Sequence, residues 1–181
     1  MRIKSPRLYT KLLTEENIDK GWLDWVNDES VTKYLSVKPP ISKLDLIQYL
    51  NDNKVNGDLL LAIYKDLGSE YIGNLRIYNI NKVDKTLMYG RIIGNENNRN
   101  KGYGTEILNI ICFIAFEHYG LDFAYTRINK NNIGSKKSNM KIGKLIYPSD
   151  IFWDNKENLY SYEVGFVISK KEWQTFFKHN K

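Results

Sequence analysis

Between residues 87 and 108 the chain passes from a β-favouring run, 87–93, through a polar loop holding Arg99, Lys101, Gly102 and Gly104, into an amphipathic stretch that continues to about residue 117. A strand that feeds a long helix in this way calls for a fold that layers helix on sheet. Glycines let the loop backbone approach a ligand closely, and the first N–H groups of a helix have no partner within it, so the loop is a ready anion site. Arg99 and Lys101 add full positive charge. The phosphate loop of nucleotide hydrolases is excluded because Gly-x-x-x-x-Gly-Lys-[Ser/Thr] is absent, and the dinucleotide fingerprint because only one Gly-x-Gly pair is present. A plain turn with a helix cap would use the same glycines.

The rest of the chain reads as a single domain, 1–181, of mixed α+β class. Residues 7–13 alternate as a first strand. Thr14 is placed as an N-cap with Glu15 and Glu16 in the first turn, and Ile18, Trp22, Trp25 and Val26 follow at helical spacing. Asn27-Asp28 breaks that run before a second short helical segment bearing Val31, Tyr34 and Leu35. Ser42 with Asp45 marks another helix start, running to about residue 53. Then the period changes, and 59–64, 71–78 and 87–93 form an antiparallel meander. After the long helix, closed by Gly120, the spacing predicts a strand at 123–128 and a short helix at 135–142 ended by Gly143. Two strands at 145–153 and 160–168 and a terminal helix at 170–177 complete the reading.

Charge narrows the partner classes. Lys and Arg total 27 against 21 acids, a formal net charge of +6, which favours anionic partners. Only 6 of the 27 cations are Arg, the better residue for bidentate base recognition, which argues against sequence-specific nucleic-acid binding. The single cysteine, Cys112, and two distant histidines, His118 and His179, supply no ligand spacing, so no metal is expected. The N-terminal residues have no apolar signal segment, and the longest apolar stretch, 107–116, is too short to span a bilayer. No membrane partner and a cytoplasmic location are expected.

Three ordered motifs carry a resemblance. Arg99-x-x-Gly102-x-Gly104 resembles the acyl-CoA pyrophosphate motif, Gln/Arg-x-x-Gly-x-Gly/Ala, of the GNAT superfamily of N-acetyltransferases. Downstream, Asn132-x-x-Ser135 followed by Lys141-x-Gly143 is similar to the superfamily's second signature, Asn-x-x-Ser and Lys-x-Gly-Phe. Upstream, Trp22-x-x-Trp25-x-Asn27-Asp28-x-x-Val31-x-x-Tyr34-Leu35 resembles the paired first helices of the branch containing ribosomal-protein and nucleotide-sugar N-acetyltransferases. The resemblance implies a mostly antiparallel central sheet, splayed in the middle and flanked by helices, that admits the pantetheine arm of acetyl-CoA as cosubstrate. Backbone groups at Ile92 and Ile93 would pair with its amides. Arg99, Lys101, Gly102, Tyr103, Gly104 and Thr105 would cradle the pyrophosphate, and Asn132 and Ser135 would line the other side. A helix N-cap would explain Ser135 equally well. Trp22, Asn27 and Tyr34 fall where this branch builds its acceptor pocket, although Trp22 and Trp25 also suit the core of an amphipathic helix.

The implied reaction is direct attack of a neutral amine on the thioester, helped by a base, an acid and an amide donor for the oxyanion. Here the sequence departs from its relatives. Met88 stands where many carry a Glu base, Asn139 where many carry a Tyr acid, and Lys144 where Phe is usual. Tyr78 and Asn139 are therefore the candidate catalytic positions, with Tyr89, Asp28 and Glu163 behind them. The expected acceptor is the amino group of a nucleotide-linked amino sugar. A protein N-terminal amine, a polyamine or aminoglycoside, and a non-catalytic acyl-CoA-binding module are the alternatives, and an acidic cluster at Asp24, Asp28 and Glu29 would suit a cationic acceptor. The chain is expected to be a monomer or homodimer.

Overall fold

The structure is a computed structural model that describes residues 2–146 and 163–179. Strand β1 (Leu8–Leu12) is followed by the turn that Thr14 starts, with its N–H donating to Asn17 Oδ1 at 3.1 Å. The helical spacing from Ile18 to Val26 does not give one helix. Gly21 sits at φ +123, backbone that side-chain-bearing residues rarely adopt, and breaks the run into a wide turn, Ile18–Trp22, and helix α1 (Leu23–Asn27). Asp28 then caps the short α2 (Glu29–Thr32), its Oδ1 accepting from Ser30 N at 2.8 Å. Helix α3 (Lys43–Val55) starts where the Ser42 and Asp45 spacing placed it: Ser42 Oγ accepts from Asp45 N, and the Asp45 carboxylate accepts from Ser42 N at 2.7 Å.

The meander appears as β2 (Leu59–Lys65), β3 (Tyr71–Asn81) and β4 (Thr86–Ile93). With β5 (Phe123–Asn129), β6 (Lys144–Ile146) and β7 (Glu163–Ser169) they make a seven-stranded sheet in the order β1-β2-β3-β4-β5-β7-β6. Every neighbouring pair is antiparallel except β4 and β5. Those two are joined only through Thr86, Leu87 and Met88, opposite Phe123, Ala124 and Tyr125. Beyond Met88 no ladder connects them, so the sheet opens as a V.

Helix α4 (Tyr103–Phe113) continues through a wider turn, Ile114–His118, and the chain reverses at Gly120, φ +67. Its Ile107, Leu108, Ile110 and Ile111 are fully buried against Leu61, Ile63, Leu75, Ile77 and Leu87 on one face of the sheet. Burial of each such side chain is worth roughly 1.5–3 kcal/mol, which fixes α4 and the loop before it. Ile18, Trp22, Val26 and Leu46 cover the opposite face around Ala62. Helix α5 (Ile133–Met140) begins earlier than the expected 135–142, because its N-cap is Asn132, whose Oδ1 accepts from Ser135 N at 3.0 Å. Helix α6 (Lys170–His179) follows β7. The expected strands 145–153 and 160–168 match β6 and β7 where described; residues 147–162 lie outside the described residues. Among the described residues no helix is long and apolar enough to cross a membrane.

Candidate active site

Two cavities meet at the opening of the V. The first, about 460 Å³, lies between α2, the start of α4 and α5, with Arg91, Ile92 and Ile93 of β4 as its floor. Among the described residues its charged lining is Lys33, Arg91, Arg99, Lys137 and Lys141, without a single carboxylate. That composition, at a helix start, fits a ligand with several phosphates. The second cavity, about 470 Å³, opens on the other face and is walled by Trp22, Tyr49, Tyr78, Arg76, Arg127 and Glu163 among others. Tyr34, Leu35, Arg91 and Ile92 line both.

The loop before α4 is tightly folded, with left-handed backbone at Asn100 (φ +60) and Gly102 (φ +81). Arg7 braces it from just before β1: its Nη1 donates to Lys101 O at 3.0 Å and its Nε to Glu106 at 2.8 Å. Of the residues that the Arg-x-x-Gly-x-Gly resemblance assigns to the cradle, Arg99, Gly102, Gly104 and Thr105 line the first cavity, as do Ile92, Ile93, Asn132 and Ser135. Lys101 and Tyr103 do not. Lys101 points to solvent, and the Tyr103 ring packs beneath the Arg7 guanidinium at 4.7 Å, so both belong to the brace rather than to the lining. Arg99 itself is partly committed, donating to Gly94 O at 2.9 Å and to Ser30 O at 3.3 Å. Because β5 has peeled away, one edge of β4 at Ile92 and Ile93 faces the opening while the other pairs with Asn74 and Gly73.

The candidate catalytic positions separate. Tyr78 lines the second cavity, with the Arg76 guanidinium 4.5 Å from its ring centroid. Asn139, in the last turn of α5, is fully buried: its Oδ1 accepts from the Tyr89 hydroxyl at 2.6 Å and its Nδ2 donates to Ser135 O at 2.9 Å. It lines neither cavity, which corrects the expectation that it stands at the reacting groups. Burial also pushes the Tyr89 hydroxyl far above its usual range, leaving it a neutral donor that ties β4 to α5. Glu163 lines the second cavity.

Among the expected acceptor contacts, Trp22 and Tyr34 line the second cavity and Asn27 does not. Asn27 Nδ2 donates to Leu23 O and Ile41 O, both at 2.9 Å, while its Oδ1 accepts from Ile41 N at 2.8 Å, so its amide clips the 41-region loop to α1. Asp24, Asp28 and Glu29 are exposed and line neither cavity.

Sequence reasoning missed Arg91. Burial lowers its pKa from the usual guanidinium value. Its Nη2 donates to Ser138 Oγ at 2.6 Å, and its Nη1 is buried without an acceptor. The signal was present: Leu87, Tyr89, Arg91 and Ile93 share one face of β4, and a lone cation on a face otherwise apolar or aromatic is out of place without a function or a partner. Among the described residues no group of three or more His, Cys, Asp or Glu is placed to hold a metal.

Residues 7–144 match the family described as the Acetyltransferase (GNAT) domain, and the chain belongs to that family. It is an N-acetyltransferase, and the family uses acetyl-CoA. No curated protein matches the sequence significantly. Similar solved structures share the fold at low identity. Apo FdhC, a nucleotide-linked sugar GNAT, is 18% identical over 99% of this chain and 96% of its own, with a TM-score of 0.75. A spermidine N-acetyltransferase from Vibrio cholerae, in complex with CoA and spermine, is 14% identical over 94% and 99%, also at 0.75. A GCN5-related N-acetyltransferase from Brucella melitensis is 13% identical over 98% and 82%, at 0.77.

Proposed function

We propose that the chain moves the acetyl group of acetyl-CoA to the amino group of a nucleotide-linked amino sugar, with the donor in the first cavity and the acceptor in the second. The observation that carries the acceptor assignment is the lining of the second cavity, where Trp22, Tyr34, Tyr49 and Tyr78 stand with Arg91, Arg127 and Arg76, the last of which pairs with Asp58 at 2.6 Å. Guanidinium groups suit a diphosphate, and flat side chains suit a stacked base and sugar faces. A polyamine fits this lining less well. Among the described residues the lining's carboxylates are Asp45 and Glu163, against three guanidinium groups, and Asp45 is held by Ser42 at the cap of α3, which keeps its carboxyl below the usual range. Likeness to a nucleotide-linked sugar GNAT supports the reading, and likeness to a spermidine acetyltransferase sets the rival.

Acetyl-CoA supplies an activated carbonyl and a thiol leaving group. For their part, the start of α4 and the cations of the first cavity hold its phosphates. The free edge of β4 at Ile92 and Ile93 orients the arm, and the open second cavity lets the amine proton pass to water. Holding both reactants in register at the V supplies the larger share of the acceleration. Thiol release from acetyl-CoA, measured across a panel of amines, tests the acceptor. Nucleotide-linked amino sugars are expected to give kcat/KM at least about tenfold above spermidine and peptide N-termini. Spermidine leading the panel would overturn the acceptor assignment.

A further inference from the structure

The donor reaches the reaction centre through the first cavity and the acceptor through the second, so the thioester must lie where the two meet. Among the described residues four line both: Tyr34, Leu35, Arg91 and Ile92. Two of these have polar side chains, and one is charged. Arg91 has no carboxylate partner among the described residues, since Nη2 is held by the Ser138 hydroxyl and Nη1 has no acceptor at all. Ser138 Oγ in turn donates to Ser135 O at 2.9 Å, which fixes the guanidinium against α5. A buried cation left without a counter-charge is costly to a fold, and such a cost persists where an anion completes the site during function.

We propose that Arg91 is the catalytic cation that stabilises the departing CoA thiolate, taking the place of the acid that Asn139 does not supply. This rests on the assignment of donor and acceptor to the two cavities. In the transfer, the amine lone pair forms the N–C bond, the C–S bond breaks, and its electron pair stays on sulfur as a thiolate facing the guanidinium. The amine proton leaves to water, so no side chain need deliver a proton to sulfur. The groups packed against Arg91 do not compete for this role. Tyr89 on β4 and Cys112 on α4 are pushed well above their usual ranges by burial and stay neutral, and Ser138 on α5 does not titrate. The other titratable groups lining the two cavities include Tyr34 at the junction, Lys33, Arg99, Lys137 and Lys141 along the first, and Asp45, Tyr49, Arg76, Tyr78, Arg127 and Glu163 along the second.

The test is equilibrium titration of the CoA thiol bound to the intact protein, followed by the ultraviolet absorbance of the thiolate. Free CoA, a simple alkyl thiol more basic than the ~8.5 of a cysteine side chain, is titrated alongside as the reference. Bound to the native chain, it is expected to titrate at least one pH unit lower. Bound to Arg91→Gln it should return to the free value or above, and Arg91→Lys should keep part of the shift. Turnover of Arg91→Gln should fall about 100- to 1000-fold with the KM for acetyl-CoA within about threefold. An unshifted thiol on a native chain that binds CoA saturably would overturn the role of Arg91 and leave the cavity assignment standing. Failure of the native chain to bind CoA would overturn both. A loss confined to the KM of acetyl-CoA or of the acceptor would also overturn the proposal, making Arg91 a binding contact. Should Arg91→Gln not fold, Arg91→Lys carries the comparison, and a native-like shift with native turnover in that variant would overturn a role specific to the guanidinium.

Discussion

Asn27 spends its whole side-chain amide on the fold, with two bonds donated and one accepted. Two of the three reach Ile41, fourteen positions away, and that distance explains why the sequence misleads here. A polar residue ending a helix beside a cleft looks the same whether it faces a ligand or a loop, and its partner is set by tertiary packing. Asn139 misleads in the same way, because nothing local to α5 reveals that Tyr89 of β4 lies beneath it. Solvent-exposed hydrogen bonds are worth about 0.5–1.5 kcal/mol each at most. Asn27→Ala is therefore expected to lower stability by about 1–2 kcal/mol in chemical denaturation, with the acceptor KM changed less than about twofold. An intact stability with a raised acceptor KM would return Asn27 to the substrate site.

Among the elements, those announced by local chemistry were the legible ones. The Ser42 and Asp45 pair, the change to period two at residue 59, and Gly120 after α4 all mark what the structure shows. Gly21 did not announce itself, since apolar spacing runs straight through it while its φ of +123 breaks the helix. The opening between β4 and β5 is an absence of pairing between strands about thirty-five residues apart, and no spacing rule encodes an absence; only the resemblance carried by the glycine loop implied it. That loop is held by its own arginine. Arg99 ties Gly94 O and Ser30 O together, joining the end of β4 to α2 before any ligand arrives. Arg99→Met is accordingly expected to destabilise the ligand-free protein by about 1–2 kcal/mol, read as a lower Tm without acetyl-CoA. An unchanged ligand-free Tm would make Arg99 a ligand contact alone.

At the scale of the molecule, a net charge of +6 says little until its distribution is seen. Among the described residues the first cavity is lined by cations and no carboxylate, while acids stand elsewhere: Asp28 caps α2, Asp58 pairs with Arg76, and Glu106 holds Arg7. Positive charge is thus concentrated at a helix start beside an open sheet, a placement that suits an anionic ligand and would steer one toward it.

Thermal unfolding with and without acetyl-CoA, run side by side on the native chain and Gly104→Val, tests this account most directly. A Cβ at Gly104 would meet Ser138 at 3.5 Å, an ordinary contact, so the backbone has room for it while the branched methyls enter the cavity. At about 100 times its dissociation constant, a ligand adds about 2.7 kcal/mol, and the native Tm is expected to rise by roughly 5–10 °C. Gly104→Val should keep its unliganded Tm within about 2 °C of native and rise by less than half as much. No rise in the native protein at millimolar acetyl-CoA, or an equal rise in both proteins, would contradict the placement of acetyl-CoA in the first cavity.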